Sequence, residues 1–378
     1  MSRFHAGRIA IVYPNDGTDI RIGKTCRSLS AAGFDVHFVG WDRRPGPPRA
    51  IELGGAERHV MTLGTAEARG DASGTLRFAG HVQRTLRRLR PEFASAVNEE
   101  YALLVLPLRR IAYRHLVCDI FDSLADRRSA AAVLSRWAAR LICAAGRSGA
   151  DRLIVTDEAR LARLGRHRVK ATVVANYPED PGDELALVRP AGPTKVYVSG
   201  TLSAARGLRE ILEALESIDD ARIVAAGWPY DDYARRIFLT HDKVRYCGAI
   251  SAASSLARAA ECDAVFAFYA PDSLNNRMAS PNKVYDAMGV GRPVIINREV
   301  ALSRWVEQHE LGFVCPYHDR AALGRVLAAL GERRGRIASF AERARRLFKQ
   351  GYSWARMEAR LLELYGGLTQ DRSIGTRS

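Results

Sequence analysis

Short apolar runs alternate with amphipathic stretches along most of this chain. Arg8–Tyr13 is a strand-length apolar run, followed by the turn Pro14-Asn15-Asp16-Gly17. A helical pattern over Ile22–Ala32 ends at Gly33, and Asp35–Gly40 reads as the next strand. A strand, a loop, a helix and a second strand predict a parallel sheet. Further strands are expected at Arg58–Met61, Ala94–Val97, His115–Ile120, Arg152–Val155 and Ala171–Ala175. The rhythm breaks over Tyr177–Pro193, where prolines and glycines mix with acids in a linker-like composition. It then restarts. Lys195–Ser199 reads as a strand, Gly200–Arg206 as a loop and Gly207–Glu216 as a helix. Strands are predicted again at Ala221–Ala226, Lys243–Cys247, Ala264–Phe268, Pro293–Ile296 and Gly312–Cys315. Two such halves joined by one linker predict an α/β protein of two Rossmann-like domains facing across a cleft. The expected division is 1–180, 181–350 and a terminal segment 351–378. In that last segment a helix after Tyr352-Ser353-Trp354 precedes a polar tail, Thr369–Ser378, expected to be disordered.

One segment is chemically specific. Ser280-Pro281-Asn282-Lys283 leads into a two-turn helix, Gly289 and Gly291 stop it, and Pro293 opens a buried strand. Proline is tolerated at a helix start, and Ser280 is placed to cap the first amides. A helix N-terminus carrying Asn282 and Lys283 suits an anion, because its free amides and a cation act together. Asp286 lies one turn further in, where a carboxylate can accept hydrogen bonds from sugar hydroxyls.

Residues 280–297 resemble the donor-binding element of GT-B glycosyltransferases, specifically the retaining family 4 group. The resemblance implies a GT-B fold and transfer of a hexose or uronic acid from a nucleoside-diphosphate sugar. It implies a polysaccharide or polyprenyl-linked saccharide as acceptor. The usual form of the motif has two acids; Asp286 matches the second, and Met278 stands at the first. Gly200–Gly207 is similar to the loop in which a basic residue before glycine, here Arg206, contacts the diphosphate, while Thr201 replaces a second cation. Asn276 follows a buried strand and is either a ligand contact or a plain loop tip. Near Gly248, relatives recognise the base through backbone groups.

In the first half the resemblance points to Asp16, Gly17 and Arg21 in the first turn, with Asp122, on the acceptor side. Asn98, Glu99 and Asp119 are the candidates nearest the reacting carbon. Donor binding is expected from Gly200, Arg206, Asn276, Ser280, Pro281, Asn282, Lys283 and Asp286.

Composition narrows the rest. The 378 residues include 57 Lys and Arg against 42 Asp and Glu, a net charge of +15. Such a charge favours anionic partners: phosphorylated substrates, acidic lipid or nucleic acid. Basic side chains cluster at Arg84, Arg87, Arg88 and Arg90, at Arg109, Arg110 and Arg114, and at Arg136, Arg140 and Arg147. Amphipathic basic helices suit an anionic membrane surface. Almost no aromatics interleave with these arginines, which disfavours a nucleic-acid-binding module. A sugar-nucleotide epimerase of the same fold needs acids and histidines facing the donor, and histidines are few. The six cysteines form no Cys-x-x-Cys pair, the chain has no Asp-x-Asp, and neither a metal nor a cofactor is expected. The single glycine of Asn15–Arg21 is far from a dinucleotide fingerprint. No signal peptide or membrane-length apolar run is read, so a cytoplasmic protein, peripheral on the inner membrane face, is expected.

Overall fold

The computed structural model describes residues 6–43, 51–62, 72–126, 133–188, 190–216, 218–332 and 337–374. It divides into two compact units: Met1–Ala175 with Met357–Ser378, and Asn176–Arg356.

The first unit is built on seven strands: β1 (Ala6–Tyr13), β2 (Phe34–Asp42), β3 (Glu57–Thr62), β4 (Phe93–Val97), β5 (His115–Ile120), β6 (Arg152–Val155) and β7 (Ala171–Val173). They lie in the order β3-β2-β1-β4-β5-β6-β7, every neighbouring pair parallel. All five residues of β4 are buried, as expected of a strand covered on both faces. The helix Ala72–Leu89 turns Phe78, Val82, Leu86 and Leu89 inward, one face of a 3.6-residue period, and leaves Arg84, Arg87 and Arg88 exposed. Phe78 stacks on Trp41 of β2 at 5.9 Å between ring centres. Asp19 caps the helix Ile20–Ala31 by accepting from the amides of Arg21 and Ile22.

The second unit repeats the plan with β8 (Thr194–Leu202), β9 (Ala221–Pro229), β10 (Val244–Tyr246), β11 (Ala264–Ala267), β12 (Val294–Asn297) and β13 (Gly312–Cys315). Their order is β10-β9-β8-β11-β12-β13, again all parallel. Each sheet starts in its middle, runs to one edge, then restarts on the other side. The order therefore reverses between β1 and β4, and between β8 and β11. At such a switch point the following loops diverge, and the carboxyl ends of the strands border a crevice.

Three expectations are corrected. Strand β8 continues through Gly200 and Thr201 to Leu202, paired with Gly227, Trp228 and Pro229, where a loop was expected. The linker region holds a short helix, Asp183–Leu187. The expected tail is helical as far as Ile374, within the last helix Trp354–Ile374, and residues 375–378 lie outside the described residues. From Met357 that helix counts with the first unit. Tyr365 contacts Phe34 and Phe93 edge-on, and the Ala175 amide lies 3.1 Å from Met357 Sδ.

Arg292, fully buried, holds the second unit together. Its guanidinium donates to the carbonyls of Cys262, Ala260, Val290, Gly291 and Val188 at 2.5–3.1 Å. These carbonyls lie at the ends of the helices Ala252–Ala260, Asn282–Gly289 and, through Val188, Asp183–Leu187, where a cation is favoured. The cysteines are free thiols; burial pushes Cys26 and Cys262 up to about 12. Among the described residues no helix is long and apolar enough to cross a membrane.

Candidate functional site

The carboxyl end of the second sheet has a floor without side chains. Gly200, Gly227 and Gly248 follow one another across β8, β9 and the end of β10. Gly227 has φ +128°, and a Cβ there would sit 1.9 Å from the Gly200 carbonyl oxygen, so only glycine fits. Its amide donates to the Gly248 carbonyl at 2.9 Å, and its carbonyl accepts from the Tyr246 hydroxyl at 2.7 Å. Lys283 Nζ lies 3.4 Å from the position a Cβ on Gly200 would take. The ammonium thus rests over bare backbone.

Two cations meet over one ring. Arg206 ends the single turn Ala204–Arg206 after β8. Asp231 fixes that turn by accepting from the Ala204 amide at 2.8 Å. Gly207 follows with φ +72°, pressed so close to Phe268 that a Cβ would approach it to 2.6 Å. The Arg206 guanidinium carbon lies 3.8 Å from the centre of the Tyr269 ring, and Lys283 Nζ lies 5.8 Å from it. Neither cation has a carboxylate partner among the described residues, and Arg206 Nη1 is buried without a hydrogen-bond acceptor. Tyr269 is held from below: the fully buried Asn297 accepts from its amide at 2.8 Å and donates to its carbonyl at 3.1 Å. Arg206 and Tyr269 follow β8 and β11, the two strands of the switch point.

The helix Asn282–Gly289 begins beside them. Pro281 is its N-cap residue, and no side chain caps it. Ser280, expected to do so, instead bonds the Tyr285 hydroxyl at 3.0 Å. Its hydroxyl thereby braces an aromatic cluster in which Tyr285 contacts Tyr177 and Tyr352. Asn276, one of the expected donor contacts, is bonded within its own loop. Its side-chain amide donates to the Ala270 carbonyl at 2.9 Å and to Asp272 at 3.2 Å, so both hydrogens close its own loop. Asn282 is exposed at the helix start, and Asp286 is half-buried one turn on. Burial foremost pushes the Tyr197 phenol of β8 up to about 12, and the Asp286 charge contributes to that rise.

In the first unit, most expected residues are committed to the fold. Asp16 Oδ1 accepts from the amide and hydroxyl of Thr18 at 3.1 and 2.6 Å, and Gly17, at φ +95°, donates to Asn15 Oδ1 at 2.9 Å. Arg21 is 2% exposed. It pairs with Asp119 at 2.8 Å, bonds the Val174 carbonyl and lies 4.7 Å from the Phe121 ring centre. Burial raises the Asp119 carboxyl, while Arg21 opposes that rise. Asn98, buried with φ +70°, uses its side-chain oxygen to accept from the amides of Phe121 and Asp122. Glu99 is fully buried and bonded to Arg147 at 2.6 Å and Ser123 at 3.0 Å. Arg21, Asn98, Glu99 and Asp119 are thus buried and bonded within the first unit, where they tie β4 and β5 to neighbouring loops. Asp122 is exposed, with Arg160 at 3.6 Å.

The aromatic platform Tyr269, its clamp Asn297 and the glycine pair of Gly227 were absent from the sequence reading. A tyrosine directly after a buried strand at the switch point was the signal available for the first.

Residues 205–363 match the family model described as Glycosyl transferase-like. Sucrose-phosphate synthase from Thermosynechococcus elongatus superposes with a TM-score of 0.76 at 16% identity, over 96% of this chain and 99% of that one. Anabaena HepE, solved in complex with UDP-glucose, gives 0.70 at 14% identity, over 96% and 100%. A glycosyltransferase from Rickettsia africae ESF-5 gives 0.64 at 12% identity, over 99% and 100%. The shared property is the GT-B fold. No curated protein sequence matches the chain.

Proposed function

We propose, from a chain whose residues 205–363 form a glycosyltransferase-family domain on a GT-B fold, that this enzyme takes its sugar from a nucleoside diphosphate. The observation that carries this reading is the pair Arg206 and Lys283, two cations with no carboxylate partner among the described residues, meeting at Tyr269 beside a helix start that no side chain caps. In glycosyl transfer the bond from the anomeric carbon to the diphosphate oxygen breaks, the acceptor hydroxyl oxygen bonds to that carbon, and the hydroxyl proton passes to the departing diphosphate or to water. Negative charge grows on the leaving diphosphate. Fixed cations and helix amides stabilise that charge without reorganising. Lys283, over bare Gly200, and Arg206 would hold the diphosphate, and Asp286 would accept hydrogen bonds from the ribose. Gly248, with no atom within 4 Å of an added Cβ, leaves room for a base against backbone. The UDP-glucose in the HepE structure supports a uridine nucleotide with a hexose; a uronic acid is the other sugar this reading allows.

The acceptor reading is a polysaccharide or lipid-linked oligosaccharide, with retention at the anomeric carbon. Asp122 is the exposed carboxylate of the first unit proposed to meet it. A lipid-linked acceptor is supported by the helix Val133–Gly149, where Trp137 is 61% exposed and Leu141 69%. They lie one turn apart, flanked by exposed Arg136 and Arg140. Apolar side chains among arginines suit the headgroup region of an anionic membrane. The basic surface is smaller than expected, because Arg109 and Arg147 are bound to Asp151 and Glu99.

The test is isothermal titration of the full-length protein with UDP, GDP, ADP and TDP, followed by the sugar nucleotides of whichever binds. Binding of one diphosphate that is lost in Lys283→Ala supports the reading. A correctly folded protein that binds none of them refutes it.

A further inference from the structure

Two neighbouring strands at the edge of the first sheet bring two imidazoles and a carboxylate together. In register, Glu57 of β3 lies opposite His37 of β2, and His59 follows Glu57 by one strand repeat on the same face. His37 Nδ1 is 3.0 Å from His59 Nε2. Glu57 carboxylate oxygens lie 3.5 Å from His37 Nδ1 and 3.6 Å from His59 Nε2. A tetrahedral ion with bonds of about 2.0–2.1 Å has ligand atoms about 3.3–3.4 Å apart. The two Glu57 distances belong to its two oxygens, Oε2 and Oε1; one ligand atom from each of the three residues lies within 4.8 Å of the others, close enough for small side-chain turns to bring them onto one face of such a tetrahedron.

We propose that His37, Glu57 and His59 bind one divalent transition-metal ion of the zinc type, with water as fourth ligand. Two imidazoles and a carboxylate are a donor set such ions favour. The surroundings fit. The His37 and His59 side chains are 5% and 8% exposed, and Glu57, at 65%, leaves a path for the ion. Asp35 Oδ1 lies 3.1 Å from His37 Nε2 without hydrogen-bonding it, so a carboxylate of the kind that orients a ligating imidazole is close at hand.

Arg88 sets the terms. Its guanidinium, which only donates, lies 3.1 Å from His59 Nδ1. That contact keeps the ring proton on Nε2, pointing at His37. To ligate, His59 must carry its proton on Nδ1, so exposed Arg88 must turn away. The ion and Arg88 compete for one imidazole.

The site sits toward the amino end of β2, away from the carboxyl-end loops that hold Asp16 and Asn98. Its role is to fasten β3, an edge strand with a neighbour on one side only, to the sheet. Composition hid it, because the ligands lie on two strands joined by a long connection.

The experiment uses tag-free, full-length protein stripped with chelator. Zinc is titrated calorimetrically, and cobalt is followed by its visible d–d bands. One ion per chain with tetrahedral cobalt bands is expected. His59→Ala should abolish binding, and Glu57→Gln should weaken it by at least about tenfold while leaving circular dichroism unchanged. Arg88→Gln should tighten binding, a result no stray surface histidine would give. Absence of stoichiometric binding, or binding unaltered by His59→Ala and Glu57→Gln, overturns the site and leaves the histidines as a hydrogen-bonded pair.

Discussion

Arg206 lies over the Tyr269 ring, its guanidinium carbon 3.8 Å from the ring centre, although the two follow different strands. The ring fixes the cation's position without neutralising it, so the charge stays available to an anion. A charge-assisted hydrogen bond contributes about 1.5–3 kcal/mol, roughly 10–100-fold in affinity. Arg206→Ala and Lys283→Ala should each weaken nucleoside-diphosphate binding by about that factor, with little change in melting temperature. Tyr269→Phe, which keeps the ring, should bind like the parent. Calorimetric titration checks all three, and undiminished affinity in both alanine variants would sink the diphosphate assignment.

The glycine floor separates two kinds of constraint. Gly227→Ala forces a Cβ to 1.9 Å from a carbonyl oxygen of paired strand β8, so it should cost about 3 kcal/mol or more, or prevent folding. Gly248→Ala meets no neighbour within 4 Å and carries only the left-handed penalty of φ +75°, about 1–2 kcal/mol. Urea denaturation should rank them in that order; equal midpoints would contradict the geometry.

Arg292 donates to five backbone carbonyls. Lysine has three donors on one nitrogen and cannot reach five separated oxygens. Arg292→Lys should therefore lower stability by about 3 kcal/mol or more, since buried carbonyls lose their donors. Thermal unfolding followed by circular dichroism tests this, and an unchanged midpoint would refute it.

Acid should weaken the fold through His59 and His115. Burial lowers both imidazole pKa values, so the folded protein holds them neutral while the unfolded chain still protonates near about 6.5. Between the two values the unfolded state binds more protons, and stability rises with pH. Their contribution is complete above the unfolded value and is lost as pH falls toward the folded one. His115→Phe, beside the Phe93 ring on which His115 stacks, should flatten the curve of urea midpoint against pH between 7 and 5. A curve parallel to the parent's would exclude His115 as a source.

Vesicle flotation addresses the membrane surface. The parent should bind vesicles rich in phosphatidylglycerol and release them at high salt. Trp137→Ser with Leu141→Ser should lose most of that binding without changing nucleotide affinity. Equal flotation of the parent on neutral vesicles, or of the double variant on anionic ones, would rule this face out.

The strands were the most legible part of the chain. His115–Ile120, Arg152–Val155 and Gly312–Cys315 coincide with the expected spans; the first two are almost wholly buried and read as mostly apolar runs, while the third, a partly buried edge strand, is marked by the short apolar stretch Phe313-Val314-Cys315. Gly200 misled because a glycine after an apolar run ordinarily marks a turn, whereas here β8 stays paired through it. Ser280 and Asn276 have side chains that cap a helix, bind a ligand or close a loop equally well, and sequence alone does not choose. Arg21 and Asp119 stand on different elements, and nothing local in either announces an ion pair. Lys283 kept its expected place because a helix start restricts where its second residue can be.

The bare floor formed by Gly200, Gly227 and Gly248 has a consequence for how this protein can change. A surface made of backbone offers substitution no side chain to exchange, so its shape can persist while the surrounding sequence drifts. New preferences would have to be written at the rim, in the turn Ala204–Gly207 and the loop Tyr269–Ser280. Directed variation there, with the glycines held fixed, is the economical way to retune what this crevice accepts.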